Sequence, residues 1–219
     1  ALVLDGETPR LVDEWQIQPI LWDVARRLID ERRSKGQFIF TGSTAPSESV
    51  ARHSGAGRFA RLTMRTMSMF ESGEATGGVS LSGLVAGECF ATTSDDRSIQ
   101  DLFERMCRGG WPGNLGLTLE QARENNRDYL RTIAEVDINT PDGMRRDPMR
   151  VMAVLRSLAR GVGTEMSVST IASDADVNRE TVSDYLDSLA RIFVSEDQPA
   201  WTQKLRSRTP LRKAPKRHL

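Results

Sequence analysis

Asp13 and Glu14 stand side by side at the end of the short apolar run Leu11-Val12, and a helical segment then leads to Gln37-Phe-Ile-Phe-Thr-Gly-Ser43. A carboxylate pair closing one short strand, with hydroxyls closing the next, reads as the catalytic half of a nucleotide-hydrolysing core. The other half of such a core is a Gly-x-x-x-x-Gly-Lys-Ser/Thr phosphate loop, and no such run occurs in these 219 residues. The catalytic carboxylates are present and the phosphate cradle is not.

These side chains need elements to position them. Ile17, Ile20, Leu21, Val24, Ala25 and Leu28 fall at helical spacing, with Arg26, Arg27, Asp30 and Glu31 on the opposite side. Gly36 ends this amphipathic helix, and Phe38-Ile39-Phe40 reads as a strand covered on both faces. Strand, helix, strand is a parallel crossover unit. A third strand is expected over about Phe59 to Met64, after the glycine-rich turn Ser54-Gly-Ala-Gly57. Residues 72–96 are rich in glycine, serine and threonine and read as loops with one short helix. Helices are expected from Ser98 to Cys107 and from Thr118 to Val136, separated by Arg108-Gly-Gly-Trp-Pro-Gly113. That segment reads as a turn between helices with Trp111 packed into an interdomain seam.

Asn139-Thr-Pro-Asp-Gly143 looks like a domain boundary. Beyond it Met149, Met152, Val154, Leu155 and Leu158 mark one short helix and Ser169 to Ala175 a second. Asn178 caps a third that carries Val182, Tyr185, Leu186 and Leu189. The tight Asp176-Val-Asn178 joint makes the last two a helix-turn-helix. Ile192-Phe-Val194 and Leu205 to Leu211 read as the two arms of a wing.

Thirty basic and thirty acidic residues cancel, so an electrostatic partner must be met by a local patch. Cys89 and Cys107 lack the spacing of a zinc site or a disulfide framework, and His53 and His218 have no partner ligands at metal spacing. No apolar run reaches the length of a membrane span, and the N-terminus has no leader pattern. A cytoplasmic protein with no membrane partner is expected. The chain starts at Ala1 without methionine and ends without a closing element, which reads as an internal piece of something longer.

The succession Pro9-Arg-Leu-Val-Asp-Glu-Trp-Gln16, Phe38-Ile-Phe-Thr-Gly-Ser43, Gly55-Ala-Gly-Arg58 with Met67-Ser-Met-Phe-Glu71, and Arg108-Gly-Gly-Trp-Pro112 resembles the prokaryotic AAA-like ATPases that carry a C-terminal domain of unknown function. The resemblance implies an α/β fold: a partial parallel-sheet P-loop ATPase core over residues 1–95, a helical connector over 96–140, and a winged helix-turn-helix domain with a basic tail over 141–219. It implies ATP and magnesium as ligands of the parent protein. Asp13 would hold the magnesium, usually through water, and Glu14 would orient and polarise the attacking water. Phosphoryl transfer is mostly positioning and charge stabilisation, so one carboxylate serves the metal while its neighbour faces the nucleophile. Thr41, with Ser43, would be the polar sensor of the γ-phosphate. Arg58 would be the arginine finger, with Arg61 in reserve.

Each assignment has a plainer competitor. Thr41 also suits a strand-ending hydroxyl that satisfies nearby backbone, and Arg58 a solvated or salt-bridged arginine. For nucleic acid the candidates are Arg179 at the start of the third short helix and the tail residues Lys204, Arg206, Arg208, Arg212 and Lys213. Every charged residue after Asp197 is basic, yet Glu180, Asp184 and Asp187 share the helix of Arg179. A basic linker is the competing reading of the tail. Two function classes therefore stand: a section of an ATP-hydrolysing AAA-like protein in which hydrolysis moves a winged helix, and a nucleic-acid- or protein-binding winged-helix module carrying an inactive ATPase remnant. A half-core would also favour self-association into homo-oligomers.

Overall fold

The computed structural model describes residues 4–44, 57–91, 97–203, 206 and 208–219. In chain order the elements are β1 (Arg10–Val12), α1 (Ile20–Arg32), β2 (Phe38–Phe40), α2 (Leu81–Val85), α3 (Ile99–Arg108), α4 (Leu119–Glu135), α5 (Pro148–Arg160), α6 (Val168–Ala175), α7 (Arg179–Arg191), β3 (Glu196–Gln198), α8 (Thr209–Arg212) and β4 (Lys216–His218). Two compact units result, one of residues 1–60 with 132–219 and the other of residues 61–131.

The expected parallel-sheet P-loop core is not what these residues build. Helix makes up 47% and strand 7%, and the described strands form two separate two-stranded sheets, so the fold is α-rich. β1 and β2 do pair in parallel, with Leu11 opposite Ile39. Among the described residues no third strand joins them: residues 59–64 have no regular structure, and Leu62 and Met64 are 91% and 86% exposed. Arg61 interrupts that segment and Arg58 and Arg65 flank it, and the Phe59 ring is stacked on Trp22 of α1 at 3.8 Å. Nor is β2 covered on both faces. Phe38 and Phe40 point to the half-buried side, while Leu11 and Ile39 are 62% and 52% exposed on the other.

Beneath the strand pair Trp15, Trp22, Phe40 and Phe59 form an aromatic cluster. Trp15 stacks on Trp22 at 5.0 Å, and Phe40 meets Trp15, Trp22 and Phe59 edge-on at 6.1–6.2 Å. Offset and edge-on arrangements suit the ring quadrupoles, and the cluster fixes α1 against the sheet.

In the unit of residues 61–131, α3 starts on a capping box in which Ser98 and Asp101 satisfy each other's backbone amides. The following Gly-Gly-Trp-Pro-Gly turn is organised by the buried amide of Asn114. That amide donates to the Arg108 carbonyl and to Asn126 Oδ1, each at 2.8 Å. A side chain at Gly110 would collide with the Met67 backbone, whose amide bonds the Gly110 carbonyl at 2.8 Å. Trp111 packs edge-on against Tyr129 at 4.7 Å.

The principal core lies in α5, α6 and α7 and in the segment before them. Ile133, Ile138, Val151, Val154, Leu158, Ile171, Val182 and Leu189 are all but excluded from solvent. Each helix begins on a side-chain cap: Asp147 accepts from the Met149 amide, Ser167 from Thr170 and Asn178 from Thr181. Asp176, in the left-handed conformation, turns the chain between α6 and α7. β3 and β4 pair antiparallel after α7, and Glu165 bridges to Lys216 on the outer side of β4. The ribbon is displaced from the expected arms. Residues 192–194 close α7 instead, with Phe193 at φ 58° turning the chain, so the first arm starts at Glu196. Residues 209–212 form helix α8, and the return arm is Lys216–His218.

One buried ion cluster ties this half together. The Arg146 side chain, 2% exposed, pairs with Asp142 and with Asp184 of α7, each at 2.8 Å, and also donates to the Ile138 and Met144 carbonyls. The Arg146 guanidinium holds the Asp142 carboxyl down at about 2 and is itself held further on the protonated side by Asp142. Asp142 and Asp184 are 25% and 42% exposed and stay within reach of water, so Arg146→Ala chiefly removes charge-assisted hydrogen bonds and is expected to lower stability by about 1.5–3 kcal/mol in denaturant unfolding. The depressed Asp142 value contributes stability that is complete above the unfolded carboxyl pKa near 4 and is lost as pH falls through about 2. Asp142→Asn is expected to cost on the order of 2 kcal/mol at neutral pH and to flatten the loss of melting temperature between pH 4 and 2.

Candidate active site

The candidate site sits where β1 and β2 end. Their ladder runs one step past the strands: the Thr41 amide donates to the Val12 carbonyl at 3.0 Å, and the Trp15 amide to the Thr41 carbonyl at 3.2 Å. Parallel register thus sets Asp13 and Thr41 next to each other, and the Thr41 hydroxyl donates to Asp13 Oδ1. Glu14 follows in the left-handed conformation, φ 49° and ψ 43°. That conformation costs a non-glycine residue about 1 kcal/mol. It breaks the strand and starts a single 3-10 turn, Trp15–Ile17. Consecutive carboxylates are thereby separated: Asp13 continues the strand, and Glu14 belongs to the turn that leads into α1.

Gln16 was not among the residues that the sequence marked. Its side-chain amide donates to Glu14 Oε2, and its Oε1 is buried with no hydrogen-bond partner beside Gly42, where a Cβ would collide with it. The glycine of Thr-Gly-Ser therefore makes room for the side chain that orients Glu14. The only signal in the sequence was a small residue between two hydroxyls. Ser43 is exposed two residues beyond Thr41.

Arg58 is not brought to this group. Its Nε donates to Asp30 Oδ1 at 2.7 Å, and Asp30 lies ten residues after the start of α1, roughly 15 Å of helical rise away from the end nearest Asp13. The Arg58 hydrogen bond holds the exposed Asp30 carboxyl below its ordinary value, and Asp30 raises Arg58 in turn. Arg61 is exposed and belongs to the other unit.

Among the described residues no group of three or more His, Cys, Asp or Glu could enclose a metal ion. Of the two carboxylates only Asp13 stays at the strand end, and a single carboxylate is the kind of ligand a hydrated magnesium ion can take.

The nucleic-acid candidates lie elsewhere. Arg179 is exposed on the first turn of α7, beside exposed Glu180. Arg206, Arg208 and Arg212 are exposed between β3 and β4, and Lys213 pairs with Glu165 at 3.1 Å. Lys204 lies outside the described residues, as do His53 and most of the turn Ser54-Gly-Ala-Gly57. Among the described residues no helix is long and apolar enough to cross a membrane.

A family model described as "Domain of unknown function (DUF8612)" matches residues 99–219, more than half of the chain. No curated protein and no solved structure matches.

The Arg58 geometry makes a direct prediction. In Arg58→Ala the Asp30 carboxyl should titrate at higher pH than in the wild type, read from its carboxyl carbon by NMR. An unmoved midpoint would place Arg58 away from Asp30 and free for another role.

Proposed function

We propose, for this chain of the DUF8612 family, whose matched residues 99–219 do not include the site, that Asp13, Glu14 and Thr41 are the metal and water side of an ATP-hydrolysing site. The supporting observation is the contact between Thr41 and Asp13 across the ends of a parallel strand pair. It sets the Asp13 carboxylate in a fixed orientation, with Oδ1 committed to the hydroxyl and Oδ2 left for a cation or its water. Thr41 is in turn placed to sense what occupies that position. Glu14, turned away from the strand and held at Oε2 by Gln16, offers Oε1 to polarise a water. Magnesium, when bound, would neutralise charge on the phosphate oxygens of ATP.

The lysine and backbone amides that bind phosphates are not among these residues. Hydrolysis therefore requires a phosphate-loop segment to complete the site. Arg58, engaged by Asp30, is the weaker assignment for the finger, and an arginine from another subunit would serve the same chemistry. Turnover would move the winged helix that we assign to α5–α7 with the β3–β4 ribbon. The setting would be the cytoplasm, where ATP is abundant; Cys89 and Cys107, free and exposed, suit a reducing compartment.

ATP turnover by the chain together with the phosphate-loop segment that the reading requires is the test. Glu14→Gln is expected to lower kcat by about 10²–10⁴-fold with ATP binding retained. Asp13→Asn is expected to weaken binding of Mn2+ in the presence of ATP, read by electron paramagnetic resonance. Turnover unchanged in Glu14→Gln would reject the assignment.

A further inference from the structure

The ribbon loop presents a surface that the nucleotide reading does not use. Residues 199–216 contain six cations, Lys204, Arg206, Arg208, Arg212, Lys213 and Lys216, and no acid, in a chain whose overall charge is zero. Two of the acids at the base of this loop are already matched: both oxygens of Asp197 accept from Arg217 at 2.6 and 2.7 Å, and Glu165 pairs with Lys213. Arg206, Arg208, Arg212 and Lys216 are exposed. In the same loop Trp201 is 79% exposed, and it lines a shallow cavity of about 210 Å3 with Glu165, Gln198, Pro199, Ala200, Ala214 and Lys216.

Helix α7, the element that would enter a groove of duplex DNA in a helix-turn-helix, presents the opposite character. Its exposed face runs through Glu180, Ser183 and Asp187, and Asp184 is occupied by Arg146. Carboxylates along that face repel a phosphate backbone. An exposed indole next to Lys216, in a loop rich in cations, has a different natural partner. The face of an unpaired base is open to stacking, whereas a duplex hides its base faces, and the cations track the phosphates on either side.

We propose that the β3–β4 loop is a docking surface for single-stranded nucleic acid, with a base stacked on Trp201 and its neighbouring phosphates on Arg206, Arg208 and Arg212. Helix α7 takes no part in the contact. The surface stands independently of the nucleotide site, since none of its residues lies in β1, α1 or β2.

The test is fluorescence anisotropy of the whole chain with a labelled oligothymidine of about 20 nucleotides and with a duplex of the same length, over a range of salt. The single strand is expected to bind more tightly than the duplex and to quench tryptophan emission. Trp201→Ala should weaken single-strand binding about 5–100-fold. The combined Arg206→Ala, Arg208→Ala, Arg212→Ala variant should weaken it at least tenfold and lower the salt slope by about two. Because all four side chains are exposed, these variants should keep the wild-type melting temperature. Absence of binding at low salt, preference for the duplex, an unchanged affinity in Trp201→Ala, or binding of anionic vesicles or an acidic peptide in place of the oligonucleotide would each overturn the proposal.

Discussion

A guanidinium withdrawn from water must find partners for its donors and an opposite charge close by, or it destabilises whatever buries it. Arg146 meets that requirement with two carboxylates and two carbonyls drawn from three stretches of chain: the 3-10 turn at Asp137–Asn139, the Asp142–Met144 turn and α7. The capped helices α5 to α7 each have the apolar stripe to pack together, but the stripe alone does not dictate how the preceding segment joins them. The ion cluster supplies that geometry. With α7 anchored on one side by Asp184 and packed on the other by Val182, Leu186 and Leu189, the ribbon that follows starts from a fixed point.

A different constraint governs the N-terminal residues. Two three-residue strands are too short to bury much, and the sheet they form is open on one face. What fixes them is the aromatic cluster beneath and the parallel ladder itself, which continues through Thr41 and so delivers a hydroxyl to a carboxylate. Precision at this strand end comes from backbone register, which a side-chain substitution nearby does not easily disturb. The left-handed turn at Glu14 then achieves what a regular strand cannot. Adjacent side chains on a strand simply alternate; here the second carboxylate leaves the strand and comes under the control of Gln16.

Much of this was readable in the residues. Helices α3 to α7 follow from caps and 3.6-residue periodicity, both local properties, and the nearness of Asp13 and Thr41 follows from a strand-helix-strand pattern whose handed return brings the two strand ends together. Two of the misreadings are cases in which a local apolar run had to find a distant partner. Phe59 looked like the start of a strand, but Trp22 offered a stacking surface and no third strand edge was stabilised. Ile192 to Val194 looked like a wing arm because the run is β-branched and aromatic, yet Ile192 is drawn into the helical core and Phe193 adopts a positive φ. The parallel-sheet core failed as a fold because its extent was inferred from resemblance, whereas the described residues form a single parallel strand pair. Arg146 went unnoticed because its partner Asp184 stands thirty-eight residues away; an Asp142–Arg146 spacing of four was the one local hint.

The clasp at the base of the ribbon carries a consequence for how the chain tolerates change. Arg217 is buried against Asp197 and the Met166 carbonyl, so the two ends of residues 199–215 are held together by contacts that owe nothing to the residues between them. Once the ends of a loop are pinned, lengthening it costs little: each doubling adds only about 0.6 kcal/mol of closure entropy. The segment is therefore a place where insertions and deletions can accumulate while the helical core stays intact. Relatives of this chain would be expected to differ there in length and composition before they differ anywhere in α5 to α7.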